Sequence, residues 1–223
     1  MHVIPVIDLI DGLVVRAKLG DRDAYRPIQT PLSRTADPVD VVRGLLTLAA
    51  FPTLYVADLD AIRGRSDNFT ALARIKTAFP AVELWIDNGA ADEAGLAETR
   101  AYGAPVLGSE SQRDAALVEA AKGALLSLDF RGDAFQGPPD LLARPQIWPD
   151  RVIVMTLGRV GGDAGPDVER LTALRAQAGR RRLYAAGGVR DRTDLDALKA
   201  AGAAGALVAS ALHEGRIASA DLT

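Results

Sequence analysis

The chain has 223 residues, 48% of them hydrophobic and 25% charged, with a formal net charge of -3 at pH 7. This composition is typical of a globular protein and excludes a disordered chain. The longest basic run, three arginines at 180–182, is too short to provide the cationic face that nucleic-acid binding requires.

The residue types also restrict the chemistry. Cysteine is absent, which excludes disulfides, thiolate catalysis and cysteine-based zinc sites. With only His2 and His213, a multi-histidine metal site is not expected. No apolar stretch approaches the length of a membrane span, and the first residues show no signal-peptide pattern. We expect a cytoplasmic protein with no metal or other cofactor and no nucleic-acid or membrane partner; no pattern fixes an oligomeric state.

Eight short apolar runs follow one another along the chain, and segments with helical spacing separate most of them. The runs are 3–9, 53–58, 82–86, 104–107, 124–129, 151–156, 183–186 and 205–208. Apolar runs without alternation are typical of parallel strands that are covered by helices. Eight such units predict a closed (β/α)8 barrel, one domain over residues 1–223, in preference to an open doubly wound sheet.

An internal repeat divides the predicted barrel. Residues 84–103 match residues 183–202 at six of twenty positions without a gap. The repeat also pairs Asp8 with Asp129 and Asp58 with Thr156, and the members of the second pair are predicted to contact the substrate. Two half-barrels, at about 1–122 and 123–223, are therefore predicted. The connection at 16–38, after the first strand, is too long to serve only as a link.

Acidic residues end several of the apolar runs, although a run of this kind is expected to be buried. The carboxyl ends of barrel strands form the active site, so Asp8 and Asp129 are predicted to point into it from opposite sides. Such a pair suits a general acid and a general base. Asp58 and Asp87 end their runs in the same way. For each acid, capping of the next helix or turn is the alternative.

Small residues after the seventh and eighth runs predict a phosphate site. Gly187 and Gly188 let backbone N–H groups approach an anion, and Ala209 and Ser210 begin a short helix whose dipole adds to the attraction. The repeat places Gly108 and Ser109 at a second such position. There, however, the carboxylate of Asp87 is expected to repel a phosphate.

Basic residues near the predicted site have two interpretations. Arg16 and Lys18, after the first strand, and Arg131, after the fifth, either bind an anion or lie on the surface. His213 is expected to be a solvent-exposed or capping residue. The glycines of the segment 158–162 predict a mobile loop; a dinucleotide fingerprint is not indicated, because no crossover with a downstream acid supports one.

Five motifs together resemble one family. VIPVIDLIDGLVVR, YVADLDAI, LLSLDFRG, YAAGGV and GALVASALHEG are similar to the histidine-biosynthesis barrels, which comprise the phosphoribosylformimino-aminoimidazole carboxamide ribotide isomerase and the cyclase subunit of imidazole glycerol phosphate synthase. The likeness extends through essentially the whole chain. It implies a twofold-repeated (β/α)8 barrel in which Asp8 is the base and Asp129 the acid of an Amadori rearrangement.

The chain also departs from that resemblance. The isomerase has three glycines where this chain has Asp87 and Asn88 before Gly89, and it has Thr and Asp where this chain has Met155 and Val160. These changes lead to three hypotheses. The first is an acid-base isomerase, or a related lyase or synthase, for a phosphorylated sugar-type molecule. The second is the histidine-pathway isomerase itself, and the third is a catalytically silent phosphate-binding paralogue.

Overall fold

The structure, a computed structural model, describes residues 1–17 and 21–222. The strands of this part of the chain are β1 (His2–Ile10), β2 (Leu13–Arg16), β3 (Arg26–Pro27), β4 (Thr53–Asp58), β5 (Glu83–Asp87), β6 (Ala104–Gly108), β7 (Leu125–Arg131), β8 (Ala134–Phe135), β9 (Arg151–Thr156), β10 (Arg182–Ala186) and β11 (Gly205–Val208). The helices are α1 (Pro38–Leu45), α2 (Leu59–Ile62), α3 (Phe69–Ala78), α4 (Glu93–Arg100), α5 (Ala116–Ala120), α6 (Asp140–Ala143), α7 (Val168–Gln177), α8 (Arg192–Ala200) and α9 (Ser210–His213).

Eight parallel strands close into a barrel. Strands β1, β4, β5, β6, β7, β9, β10 and β11 pair in chain order, and β11 returns to pair with β1. The predicted (β/α)8 barrel is confirmed, and every predicted run coincides with a barrel strand to within two residues at each end. The half-barrel boundary that we proposed near residue 122 lies between α5 and β7. No helix in the described part of the chain is long and apolar enough to cross a membrane.

The barrel strands bury both of their faces, which explains why their sequences do not alternate between apolar and polar residues. In β4, Leu54 and Val56 face the helices, whereas Tyr55 and Ala57 belong to the separate apolar cluster inside the barrel. At the centre of the inner cluster the rings of Trp85 and Tyr184 meet edge to face, with centroids 4.9 Å apart. These two aromatic residues occupy equivalent positions of the internal repeat.

Aspartates fix the starts of several helices. Asp37, Asp92, Asp167 and Asp191 each precede a helix and accept a hydrogen bond from a backbone N–H of its first turn. This contact satisfies a donor that has no partner within the helix. Helix capping therefore accounts for these four acidic residues in the connections between strands and helices.

A hairpin extends β1 beyond the barrel wall. Asp11 and Gly12 have φ angles of 50° and 75° and form the turn between β1 and β2, as Asp-Gly pairs often do. Side chains of Asp60 and Asn68 accept hydrogen bonds from the two turn N–H groups, both at 2.7 Å. Farther along the same connection, Tyr25 is only 8% exposed and joins the inner cluster. The long 16–38 connection thus contributes to the mouth of the barrel; Lys18 lies outside the described residues.

Candidate active site

A cavity with a volume of about 100 Å³ opens at the carboxyl ends of the barrel strands. The predicted site residues that line it are Asp8, Asp129, Arg131, Gly187, Gly188, Ala209 and Ser210. They come from β1 and β7 and from the segments directly after β10 and β11. Active sites of parallel barrels lie at this end, so the cavity is the candidate active site.

Asp129 is held deep in the cavity wall and is only 4% exposed. Its carboxylate accepts hydrogen bonds from Ser127 Oγ at 2.6 Å, from Ser109 Oγ at 3.2 Å and from the Glu110 backbone N–H at 3.2 Å. Burial, followed by the negative charge of Asp87, raises the pKa of Asp129 from 3.8 to about 7. A substantial fraction of Asp129 therefore carries a proton near neutral pH, as a general acid requires.

Asp8 faces the same cavity from the other side. Strands β1 and β7 are the first and fifth of the eight barrel strands, so they lie across the barrel from each other. Asp8 does not end its strand, because β1 continues to Ile10 and turns into the hairpin. Its backbone is fixed on both sides by pairing with Ala57 and Val15, and its side chain is partly exposed.

Asp87 adds a third carboxylate to the cavity. Tyr55 donates its hydroxyl proton to Asp87 Oδ2 at 3.1 Å, and the Gly89 N–H donates to Oδ1 at 3.2 Å. Burial and the charges of Asp87, Asp129 and Asp8 raise the pKa of Tyr55 well above 10, so this phenol stays protonated. Among the described residues, no group of three or more His, Cys, Asp or Glu side chains is arranged to hold a metal ion.

The glycines after β10 form the opposite wall of the cavity. Gly187 and Gly188 have φ angles of 98° and 83°, which side chains rarely tolerate. A Cβ at Gly187 would lie 2.5 Å from the carbonyl oxygen of Thr156, and one at Gly188 would lie 2.3 Å from that of Gly165. Close approach of neighbouring backbone therefore requires glycine at both positions, and these two residues line the cavity together with Ser210.

Two predicted residues on β4 and β9 do not line the cavity. Asp58 is 0% exposed, and its carboxylate accepts hydrogen bonds from the N–H groups of Ala61 and Asn68 at 3.1 and 2.7 Å. Asp58 therefore caps helix α2, which was the alternative to a role in the active site. Thr156 is 4% exposed, and its hydroxyl lies 3.5 Å from Asp167 Oδ2, directed toward the start of α7.

The predicted second phosphate position has a different arrangement. Ser109 is 0% exposed, and its hydroxyl lies 2.7 Å from the carbonyl oxygen of Gln136 and within hydrogen-bond distance of Asp129. A Cβ at Gly108 would lie 3.3 Å from Asp87 Oδ2 and 3.4 Å from Asp129 Oδ2. Neither residue lines the cavity, and both lie beside carboxylates, so the structure does not bring them together as an anion site.

Arg16 lies beside a smaller neighbouring cavity of about 20 Å³, which also borders Asp8 and Ser210. Its guanidinium pairs with Glu214 at the surface. His213 lines this smaller cavity and is 5% exposed, so the expectation that it is solvent-exposed is wrong. Burial, with a smaller effect of the Arg16 charge, lowers the pKa of His213 to about 4.

Sequence reasoning missed several residues of the cavity wall: Tyr25, Tyr55, Glu110 and Arg216. Tyr55 had a usable signal, because alternation along β4 places it inside the barrel two residues before Ala57. The others come from loops, whose path the pattern of apolar residues does not predict. Met155 and Val160 also line the cavity and make this part of its wall apolar.

Known proteins are similar to this chain over most of its length. A family model described as Histidine biosynthesis protein matches residues 2–133 and 147–218. The chain is 31% identical over 237 residues to the 1-(5-phosphoribosyl)-5-((5-phosphoribosylamino)methylideneamino) imidazole-4-carboxamide isomerase of Synechococcus sp., covering 97% of this chain and 87% of that protein. It is 32% identical over 243 residues to the same isomerase of Anaeromyxobacter dehalogenans, covering 99% and 97%. An uncharacterized protein of Methanocaldococcus jannaschii is 26% identical over 216 residues, covering 96% and 94%.

Proposed function

The chain belongs to the family of histidine biosynthesis proteins, and we propose that it is an acid-base isomerase of a phosphorylated sugar-type molecule, with Asp8 as the base and Asp129 as the acid. The observation that carries the proposal is the position of both carboxylates in one cavity, where the surroundings of Asp129 raise its pKa to about 7. The isomerase names of the relatives support the reaction class.

The reaction that suits this pair is the rearrangement of an aminoaldose to an aminoketose. Asp129 donates a proton to the ring oxygen as the bond from C1 to that oxygen breaks. Asp8 removes the proton from C2, which gives an enol. A proton added at C1, with loss of the 2-hydroxyl proton, completes an isomerisation in which no atom is gained or lost. The reaction requires one protonated and one ionised carboxylate at the same pH. Different surroundings achieve this by separating the pKa values of the two groups.

The cavity supports one phosphate site. Gly187, Gly188 and Ser210 present backbone and a small polar side chain, and no carboxylate among the cavity-lining residues comes from these segments. On the wall formed by β5, Asp87 directly precedes Asn88 and Gly89, which are the equivalents of Gly187 and Gly188 in the internal repeat. The negative charge of Asp87 would repel a phosphate there. We therefore propose a substrate whose phosphate lies against β10 and β11 and whose other end carries no phosphate.

Deuterium incorporation tests the proposed reaction. The probe is an N-glycosylamine prepared from ribose 5-phosphate and an arylamine, and the solvent is D2O. The wild-type protein is expected to form the aminoketose with deuterium at C1, observed by NMR. Asp8→Asn and Asp129→Asn are each expected to lower the rate by about 100-fold or more. Asp196→Asn, an exposed change on α8, is the matched control. Binding without conversion would favour the silent paralogue, and conversion that persists in both variants would reject the assigned roles.

A second candidate is the histidine-pathway isomerase itself. It is favoured by the relatives of that name, which are 31% and 32% identical to this chain over nearly its whole length. The carboxylate of Asp87 and the apolar walls formed by Met155 and Val160 argue against it. Growth of a histidine auxotroph that lacks this isomerase decides the question: complementation supports the second candidate, and failure despite soluble expression rejects it.

A further inference from the structure

We infer that Arg216 is a phosphate-binding residue of the cavity and that Asp163 holds its guanidinium in the ligand-free protein, so that a bound phosphate replaces Asp163. The inference rests on the proposed function, because it concerns the phosphate end of the same ligand. Arg216 adds a cation to a wall that otherwise presents backbone groups and the Ser210 hydroxyl, and Asp163 is the group with which the ligand competes.

The position of Arg216 follows from a sharp return of the chain after α9. Gly215 has a φ angle of 69°, and the Arg216 N–H donates to the carbonyl oxygen of Ala211 at 2.9 Å. The side chain consequently lines the cavity together with Gly188 and Ser210. A guanidinium at this place is suited to a phosphate, because its fork of N–H groups matches two phosphate oxygens.

The present partners of Arg216 are carboxylates at the surface. Its Nη1 lies 3.0 Å from Asp163 Oδ1, and its Nη2 lies 2.7 Å from Glu214 Oε2. Glu214 also pairs with Arg16, so its charge is shared between two arginines. The Asp163 side chain is 83% exposed. Exposed ion pairs of this kind contribute little to stability, so a phosphate can displace Asp163 at small cost.

Asp163 directly follows the segment 158–162, for which the sequence predicts a mobile loop, but other contacts also hold the segment that contains Asp163. Arg159 Nη1 donates to the carbonyl oxygens of Gly165 and Pro166 at 3.0 and 2.8 Å, and Arg190 Nη1 donates to that of Asp163 at 3.4 Å. None of these contacts uses the Asp163 carboxylate. Its removal is therefore expected to free Nη1 of Arg216, while Nη2 stays paired with Glu214, without releasing the segment.

If phosphate and Asp163 compete for Arg216, substitution of the two residues changes phosphate affinity in opposite directions. An ion pair with only a structural role would not give opposite changes. Arg216→Gln removes the cation, and we expect phosphate affinity to fall roughly 10-fold or more. Asp163→Asn removes the carboxylate that competes with phosphate for Arg216, together with a negative charge that repels phosphate. We therefore expect phosphate affinity to rise roughly threefold. Arg192→Gln and Asp196→Asn form a matched control, because this surface pair on α8 does not line the cavity.

The test is calorimetric titration of the full chain with ribose 5-phosphate and, separately, with inorganic phosphate. Arg216→Lys replaces Arg216→Gln if the latter does not fold, and it is expected to keep an intermediate affinity. A change of phosphate affinity in the same direction for Arg216→Gln and Asp163→Asn would overturn the inference. Gly187, Gly188 and Ser210 would then remain as the proposed phosphate site. Failure of the wild-type protein to bind either probe would overturn both the inference and the proposed phosphate site.

Discussion

Replacement of Asp129 by Asn is predicted to lower the catalytic rate by about 100-fold or more and to stabilise the fold at alkaline pH. The folded protein raises the pKa of this carboxyl group from 3.8 to about 7. Below pH 3.8 the group is protonated in both the folded and the unfolded chain. Between these values the folded chain keeps a proton that the unfolded chain releases. The contribution of Asp129 to the unfolding free energy is therefore fully present below pH 3.8 and is lost as the pH rises through 7.

The size of the effect follows from that shift. A difference of about three pKa units corresponds to about 4 kcal/mol. Asn keeps one acceptor oxygen, so the substitution loses about 1 kcal/mol from one of the hydrogen bonds that Ser127, Ser109 and Glu110 donate to Asp129. At pH 8 the variant should thus be more stable than the wild-type protein by roughly 3 kcal/mol. Near pH 4 this advantage should disappear.

Urea denaturation of both proteins at pH values from 4 to 9 measures the difference. Groups that do not interact with Asp129 affect both proteins equally, so the difference reports Asp129 and its interactions with neighbouring charges such as Asp87. An unfolding free energy that is lower in the variant at pH 8, or a difference that does not depend on pH, would refute the reasoning. Asp133→Asn, an exposed change in the β7–β8 connection, controls for loss of a carboxylate.

Three further predictions concern the surrounding residues. Ser210→Asp places a negative charge in the proposed phosphate wall and should abolish calorimetric binding of ribose 5-phosphate, whereas unchanged affinity would remove Ser210 from the site. Asp87→Asn removes a like charge and should lower the pKa of Asp129, moving the alkaline loss of activity to lower pH; a profile that does not move would show that Asp87 has no part in this effect. Gly188→Ala would bring a Cβ within 2.3 Å of the Gly165 carbonyl oxygen and should cost about 2 kcal/mol in the unfolding free energy, and a fully stable variant would contradict the described backbone.

The barrel and its principal acids were predictable because strand order determines where strand ends lie. Eight apolar runs fix the closed sheet, and closure brings Asp8 and Asp129 to one cavity whatever the details of the loops. The same reasoning placed Gly187 and Ser210 correctly in the cavity wall. Their assigned chemical roles remain predictions.

The remaining site residues depend on contacts that a strand pattern does not contain. Asp58 and Asp129 have the same sequence signature, yet hydrogen bonds from Asn68 hold the first in a helix cap. Ser109 looked like an anion ligand because it is small, but packing turns its hydroxyl toward Asp129. Arg216 reaches the cavity only because the chain folds back after α9, a return that no periodicity indicates.

A crystal structure with bound ribose 5-phosphate at neutral pH tests the central claim most directly. The account predicts one phosphate against Gly188 and Ser210, with the sugar between the carboxylates of Asp8 and Asp129. A phosphate against Asp87, two bound phosphates, or a sugar that does not reach both carboxylates would contradict it.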